Sequence, residues 1–311
     1  MDKITTDVLV SICIPTYKQT FYLKKCLDSV FIQTYANYEV ILTDDTPDDT
    51  VKNFLLENYS DKKINYFKNE RSLGSPANWN YAVSKAKGQF VKILHHDDHF
   101  TFNDSLEKFV MALDKNKDAD FVFSLSSIHN ADTGENWSKS LVNEVLQKLK
   151  ADPTYLICGN FVGSPSATMY RKSAVLFDEQ LKWLVDLDFY IAILLKNKTF
   201  VFIEETLITT TNAAMHQITN NCINNPEVEL FEYSYLLDKY KRSIVFNHDL
   251  KNVFLNLFYN YNIRSIEDLA VYYKNAGEHS EFYHSVFKEQ GAYNFKRKLK
   301  SKIKNILGKN N

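Results

Sequence analysis

The first hundred residues alternate between short apolar runs and amphipathic stretches, and this alternation restricts the fold more than any other feature of the chain. "VLVSICIP" (8–15) is apolar and β-branched up to Pro15, the pattern of a strand buried on both faces. "TFYLKKCLDSVFIQT" (20–34) sets Leu23, Leu27, Val30 and Phe31 at helical spacing. "YEVILTDD" (38–45) is a second buried strand, "TVKNFLLENY" (50–59) a second helix and "KINYFKN" (63–69) a third strand. "PANWNYAVSKAKG" (76–88) reads as a helix stopped by Gly88, with Asn78 and Asn80 capping or bracing it. "QFVKILHHDD" (89–98) is then a fourth strand. This order predicts an α/β fold, a mostly parallel sheet flanked by helices.

In such sheets ligands bind beyond the carboxyl ends of the strands. Two acid pairs, Asp44/Asp45 and Asp97/Asp98, fall at those ends. They repel one another unless a cation or hydrogen-bond donors lie between them, and a divalent metal carrying a phosphate meets that need. The second pair sits inside "KILHHDDHF" (92–100), which is dense in histidine. On an extended strand His96 and Asp98 share one side, as do Asp97 and His99, an arrangement that permits a His/Asp metal cage.

Beyond residue 100 the pattern loosens. "DSLEKFVMALDK" (104–115) is a helix, "ADFVFSLSS" (119–127) a strand, and "GNFVGSPSATMYRKS" (159–173) a punctuated loop entering a strand or turn. "WLVDLDFYIAILLKN" (183–197) is a helix with Asp186 and Asp188 in its first turn, where the helix dipole favours them. "TFVFIEETLITTT" (199–211) is a strand, and after about residue 220 the chain reads as helical, starting at Asn225-Pro226. Cys13, Cys26, Cys158 and Cys222 are scattered and read as reduced core residues. The formal net charge of −1 excludes a protein that coats nucleic acid. The opening "MDKITTDVLV" has no signal-peptide pattern, and the longest apolar run, "FYIAILL" (189–195), is too short to span a bilayer, so a cytoplasmic protein is expected.

Several ordered pieces carry a family resemblance. "VSICIPTYKQTFYLKKCLDSVFIQTYANYEVILTDDTPDDT" (10–50), "SLGSPANWNYAVSKAKGQFVKILHHDD" (72–98) and "WLVDLDFY" (183–190) together resemble the family 2 glycosyltransferases, inverting, nucleotide-sugar-dependent enzymes of the GT-A (Rossmann-like) fold. The resemblance implies a GT-A domain over residues 1–215 and a helical C-terminal region over 216–311. It implies that Pro15, Thr16 and Tyr17 line the nucleotide site, that Asp45 bonds the base or ribose and that Asp97 approaches the ribose. Asp98 would hold a Mn²⁺ or Mg²⁺ ion within a DXD-type motif, joined by His216 of "NAAMHQIT", and Asp186 would be the general base. Ser166 and Thr168 would lie near the sugar or acceptor, and His95 and His96 would be packing or supporting residues. The chain departs from the family pattern at Thr46-Pro47, where Gly-Ser is usual, and at Val185, where an acid is usual. The second departure keeps Asp188 as a competitor for the base.

The resemblance thus implies transfer of a sugar from a nucleoside diphosphate sugar, a UDP-sugar first, to a hydroxyl of a glycan or lipid-linked glycan in surface polysaccharide synthesis. Hard oxygen ligands suit Mn²⁺ or Mg²⁺, and one carboxylate opposite the leaving group suffices for inversion. A nucleotidyltransferase needs a glycine-rich phosphate loop after the first strand, and "IPTYKQT" has no glycine. A catalytically silent nucleotide-binding module and a His/Asp metallohydrolase are the alternatives. In "FKRKLKSKIKNILGK" (295–309), Phe295, Leu299, Ile303, Ile306 and Leu307 form one helical stripe among lysines. That stripe suits an interfacial helix on anionic lipid, hence a peripheral position on the inner face of the cytoplasmic membrane; a solvated basic tail is the other reading.

Overall fold

A computed structural model of the chain describes residues 7–138, 140–212 and 219–307. Strands β1 (Val10–Thr16), β2 (Tyr38–Asp44), β3 (Ile64–Lys68) and β4 (Phe90–Ile93) alternate with helices α1 (Thr20–Phe31), α2 (Thr50–Asn58) and α3 (Ala77–Lys85). After these come β5 (His99–Phe100), α4 (Ser105–Lys115), β6 (Phe121–Asn130), β7 (Asn136–Ser138), α5 (Asn143–Ala151), β8 (Thr168–Arg171), α6 (Val185–Lys196) and β9 (Phe200–Asn212). The remaining helices are α7 (Thr219–Cys222), α8 (Pro226–Lys239), α9 (His248–Tyr261), α10 (Ile266–Ala270) and α11 (Ser280–Leu307).

The strand order is β3-β2-β1-β4-β8-β6-β9-β5, with β7 paired to β6. The parallel sheet read from the sequence is the first half of this array: β1 pairs in parallel with β2 and β4, and β2 with β3. There each strand is followed by a helix that returns the chain to the same edge, as parallel pairing requires. Antiparallel β8 then separates β4 from β6, so the complete sheet is mixed, with β6 and β9 parallel again. All seven residues of β1 are buried. Val10, Ile12 and Ile14 pack with Val40 and Leu42 against Leu23, Leu27 and Val30 of α1 and Leu106 and Phe109 of α4. The alternate residues of β2 face α3, where Asn78 donates to the Thr43 carbonyl at 3.3 Å. A strand covered on both sides is the reason its sequence runs apolar instead of alternating.

Gly88 does not stop α3, which ends at Lys85. It serves a close approach instead: a Cβ at residue 88 would stand 2.6 Å from the Ser11 nitrogen and 2.7 Å from the Leu9 oxygen. The fourth strand is also shorter than "QFVKILHHDD" suggests. It ends at Ile93, and His95–Asp98 form a turn closed by the Asp98 N–H on the His95 carbonyl at 3.0 Å.

The chain divides into two compact units, Met1–Pro153 with Asn160–Asn220, and Thr154–Gly159 with Asn221–Asn311. The second is helical with an aromatic core, in which Phe258 stacks on Phe287 with centroids 5.1 Å apart and Phe254 meets Tyr283 at 5.6 Å. Helix α8 begins where its sequence signals place it: Pro226 opens it, and the Asn225 side chain accepts from the Glu227 N–H at 3.1 Å.

Candidate active site

Where β1, β2 and β4 end, the first unit gathers its buried polar groups. Asp44 closes β2, and its carboxylate accepts from the Thr46 N–H at 2.8 Å and the Tyr66 hydroxyl at 2.7 Å, with the Lys68 ammonium 3.3 Å away. Asp45 accepts from Asn69 Nδ2 at 2.6 Å, the Leu73 N–H at 3.0 Å and the Gly74 N–H at 2.8 Å. The first acid pair is therefore satisfied by hydrogen-bond donors from within the protein, one of the two means by which the acid pairs were expected to be accommodated. A carboxylate accepts about four hydrogen bonds, so Asp45 keeps about one position for a ligand. Pro15 and Thr16 are buried at the end of β1, whereas Tyr17 is 45% exposed. Lys18 and Gln19 follow with φ of 56° and 53°. Two successive non-glycine residues in the left-handed region turn the chain sharply into α1 at a cost of about 1–2 kcal/mol each.

Asp98 is 4% exposed. Its Oδ1 accepts from the Thr211 N–H at 3.1 Å, Ser164 Oγ lies 3.5 Å from Oδ2, and the Ser166 hydroxyl also donates to the carboxylate. Burial, reinforced by the charge of Asp97 beside it, pushes the Asp98 carboxyl up to about 8. Asp97 itself is half-buried. Ser166 and Thr168, expected near the sugar or acceptor, are fully buried with their hydroxyls bonded within the protein: Ser166 Oγ also accepts from the His95 N–H at 2.9 Å, and Thr168 donates to the Pro165 carbonyl at 2.9 Å. Ser166 braces the Asp98 turn.

Because His95–Asp98 is a turn, strand alternation does not govern its side chains. His95, and not His96 or His99, joins the two aspartates: His95, Asp97 and Asp98 each offer one ligand atom, all within 4.8 Å of one another. His95 Nδ1 lies 4.0 Å from Asp98 Oδ2, and its ring packs on Trp79 with centroids 4.7 Å apart. Burial holds the imidazole down at about 4, which keeps it neutral and leaves a nitrogen lone pair for a cation. His216 lies outside the described residues.

Beneath this turn sits a group that the sequence reading passed over. Lys92 of β4 is fully buried, its Nζ 4.5 Å from the Phe109 ring centroid. It donates to the Ser166 carbonyl and, at 3.0 Å, to the Thr168 carbonyl. Burial lowers its pKa to about 7, against the pull of Asp98. The signal was present in "FVKIL", since a lysine in a strand buried on both faces breaks the apolar pattern.

The two candidate bases separate by access. Asp188 is buried at 1% exposure, whereas Asp186 is half-buried. Asp186 Oδ2 accepts from Asn160 Nδ2 at 2.7 Å, and Asn160 in turn brackets Gly163, accepting from its N–H at 2.8 Å and donating to its carbonyl at 3.1 Å. Gly163 has φ of +100°, a conformation suited to glycine, and its carbonyl also accepts from the Tyr190 hydroxyl at 3.1 Å. Asn160 thus orients Asp186 from a loop whose contacts periodicity does not reveal.

Residues 11–202 match the family described as Glycosyl transferase family 2. An uncharacterized glycosyltransferase of Methanocaldococcus jannaschii is 32% identical over 207 residues, covering 64% of this chain and 69% of that protein. The Escherichia coli protein WfgD, a UDP-Glc:alpha-D-GlcNAc-diphosphoundecaprenol beta-1,3-glucosyltransferase, is 36% identical over 97 residues, 31% of this chain and 38% of that one. Among solved structures, S. aureus TarS 1–349 in complex with UDP-GlcNAc superimposes with a TM-score of 0.58 at 17% identity, covering 91% of each chain. A family match over most of the chain, carried on a sheet of GT-A type, shows that this chain belongs to glycosyl transferase family 2 and is a glycosyltransferase.

Proposed function

We propose that the chain transfers a sugar from a UDP-sugar to a hydroxyl of a lipid-linked glycan, with inversion, in the synthesis of a surface polysaccharide. The observation that carries this reading is the buried Asp98, a carboxyl group held out of water beyond the end of β4 by three donors from two separate segments, Ser164 and Ser166 of one loop and the Thr211 N–H of β9. Burying a carboxyl group is costly even when it is hydrogen-bonded, and a strongly perturbed carboxyl at strand ends is a mark of functional sites. The identity of WfgD favours the UDP-sugar and the lipid-linked acceptor, and the fold shared with TarS bound to UDP-GlcNAc agrees with it.

In this reading Pro15, Thr16 and the exposed Tyr17 line the nucleotide, Asp45 offers its remaining acceptor position to the base or ribose, and Asp97 approaches the ribose. Asp98, with Asp97 beside it, fits a divalent cation, Mn²⁺ or Mg²⁺, because carboxylate oxygens suit both ions. When bound, such an ion supplies positive charge against that developing on the departing nucleoside diphosphate. Asp186 takes the acceptor hydroxyl proton, since it is the reachable carboxylate of α6 and Asn160 fixes its orientation.

The test has two arms. UDP-, GDP- and dTDP-sugars are compared for the rise in Tm they give with Mn²⁺, where a UDP-sugar is expected to give the largest. Turnover of the best donor is then measured in Asp186→Asn, with a fall of about 10²–10⁴-fold expected. Unchanged turnover would remove Asp186 as the base.

A further inference from the structure

We propose that His95 is a ligand of the cation held at Asp98, and that its imidazole tilts this enzyme toward Mn²⁺ over Mg²⁺. The inference rests on Asp98 being the cation's carboxylate.

Three observations carry it. The first is spacing. The ligand atoms of His95, Asp97 and Asp98 lie within 4.8 Å of one another, and Nδ1 of His95 is 4.0 Å from Oδ2 of Asp98. Donors sharing one ion at about 2.0–2.3 Å stand roughly 3–4.5 Å apart. The pair is thus too far apart for a direct hydrogen bond and at a suitable separation to share an ion.

The second is an orphan. Nε2 of His95 is buried and has no hydrogen-bond partner in the structure. It is the ring nitrogen other than the one 4.0 Å from Asp98, so when Nδ1 gives its lone pair to an ion, Nε2 carries the single ring proton of the neutral imidazole. The third is rigidity. The His95 backbone is held at both ends, its N–H by Ser166 Oγ at 2.9 Å and its carbonyl by the Asp98 N–H at 3.0 Å, and its ring packs against Trp79 with the planes 43° apart. A residue with its backbone fixed and its ring packed next to the carboxylate gives up little freedom on binding an ion.

A ring nitrogen does not bind all divalent ions alike. Mg²⁺ favours oxygen and keeps its waters, whereas imidazole suits transition ions. A His/Asp/Asp set therefore strengthens Mn²⁺ more than Mg²⁺.

Binding of each ion is measured on the full chain with UDP or GDP present, together with the ¹⁴N coupling of bound Mn²⁺ by pulsed electron paramagnetic resonance. His95→Asn is expected to weaken Mn²⁺ by about 10–100-fold and Mg²⁺ by less than about threefold, and to remove a ¹⁴N coupling seen in the wild type. His95→Asp, which returns an oxygen donor, is expected to bind both ions with the preference for Mn²⁺ reduced. Equal loss of both ions in His95→Asn, or an unchanged preference with the coupling retained, overturns the role of His95 and leaves Asp98 as the carboxylate. Wild-type protein that binds neither ion, or Asp98→Asn that binds as the wild type does, overturns the underlying reading as well.

Discussion

Asp98 and Lys92 are ionisable side chains inside one core, and their titrations oppose each other. The Asp98 carboxyl is raised from 3.8 to about 8, so between those values the folded state holds a proton that the unfolded state releases. Stability from this group is full below about 4 and falls as pH rises toward about 8. Lys92 is lowered from 10.5 to about 7, so in that window the unfolded state holds the extra proton and stability rises with pH. The metal-free protein is therefore expected to pass through a shallow stability minimum between about 7 and 8, measurable by urea titration across pH. Asp98→Asn keeps an acceptor for Thr211 and removes the falling limb. It is expected to be more stable than the wild type at pH 8, by on the order of 2 kcal/mol, while losing turnover. A variant that is less stable at every pH would contradict this account.

At the scale of elements, the packing of the turn before β4 onto β1 leaves no room for a side chain at residue 88. Gly88→Ala is expected to destabilise by about 2–4 kcal/mol, read as a lower urea midpoint at unchanged m-value, because backbone of Leu9 and Ser11 must shift. The elements themselves were largely legible: hydrophobic runs of strand length, separated by helical spacing, marked β1 to β4 and α1 to α3, and the α6 and α8 starts were signalled by Asp186 and Asn225. What periodicity hid was local. A strand and the turn beyond it share the apolar-to-polar change in "KILHHDD", so the end of β4 at Ile93 and the inward placement of His95 needed the backbone. Antiparallel β8 was hidden too, because pairing direction depends on which strand a segment meets and not on its own composition. The partners of Ser166 and Thr168 were hidden for a related reason: loop hydroxyls look alike in sequence whether they face a ligand or, as here, backbone of a neighbouring turn.

For the whole molecule, the second unit bears on where the enzyme works. Among the described residues no helix is long and apolar enough to cross a membrane. Helix α11 continues to Leu307, with Phe295 at 69% and Leu299 at 49% exposure on consecutive turns beside Lys296 and Lys298. If that stripe meets anionic lipid, Phe295→Ser with Leu299→Ser is expected to lower sedimentation with phosphatidylglycerol vesicles several-fold and leave turnover on a water-soluble acceptor unchanged. Equal sedimentation of both proteins would leave the last turns of α11 a solvated basic end. The buried lysine sets an order on how the molecule assembles. Strands β1 to β4 are complete by Ile93, yet the carbonyls that receive the Lys92 ammonium come from Ser166 and Thr168, separated from it by 74 and 76 residues. Burying Lys92 before that later segment docks leaves its amino group without acceptors, which disfavours early closure of β4. The centre of the sheet is thus the last part of the first half to lock, and pulsed hydrogen exchange during refolding should protect β4 after β2 and β3.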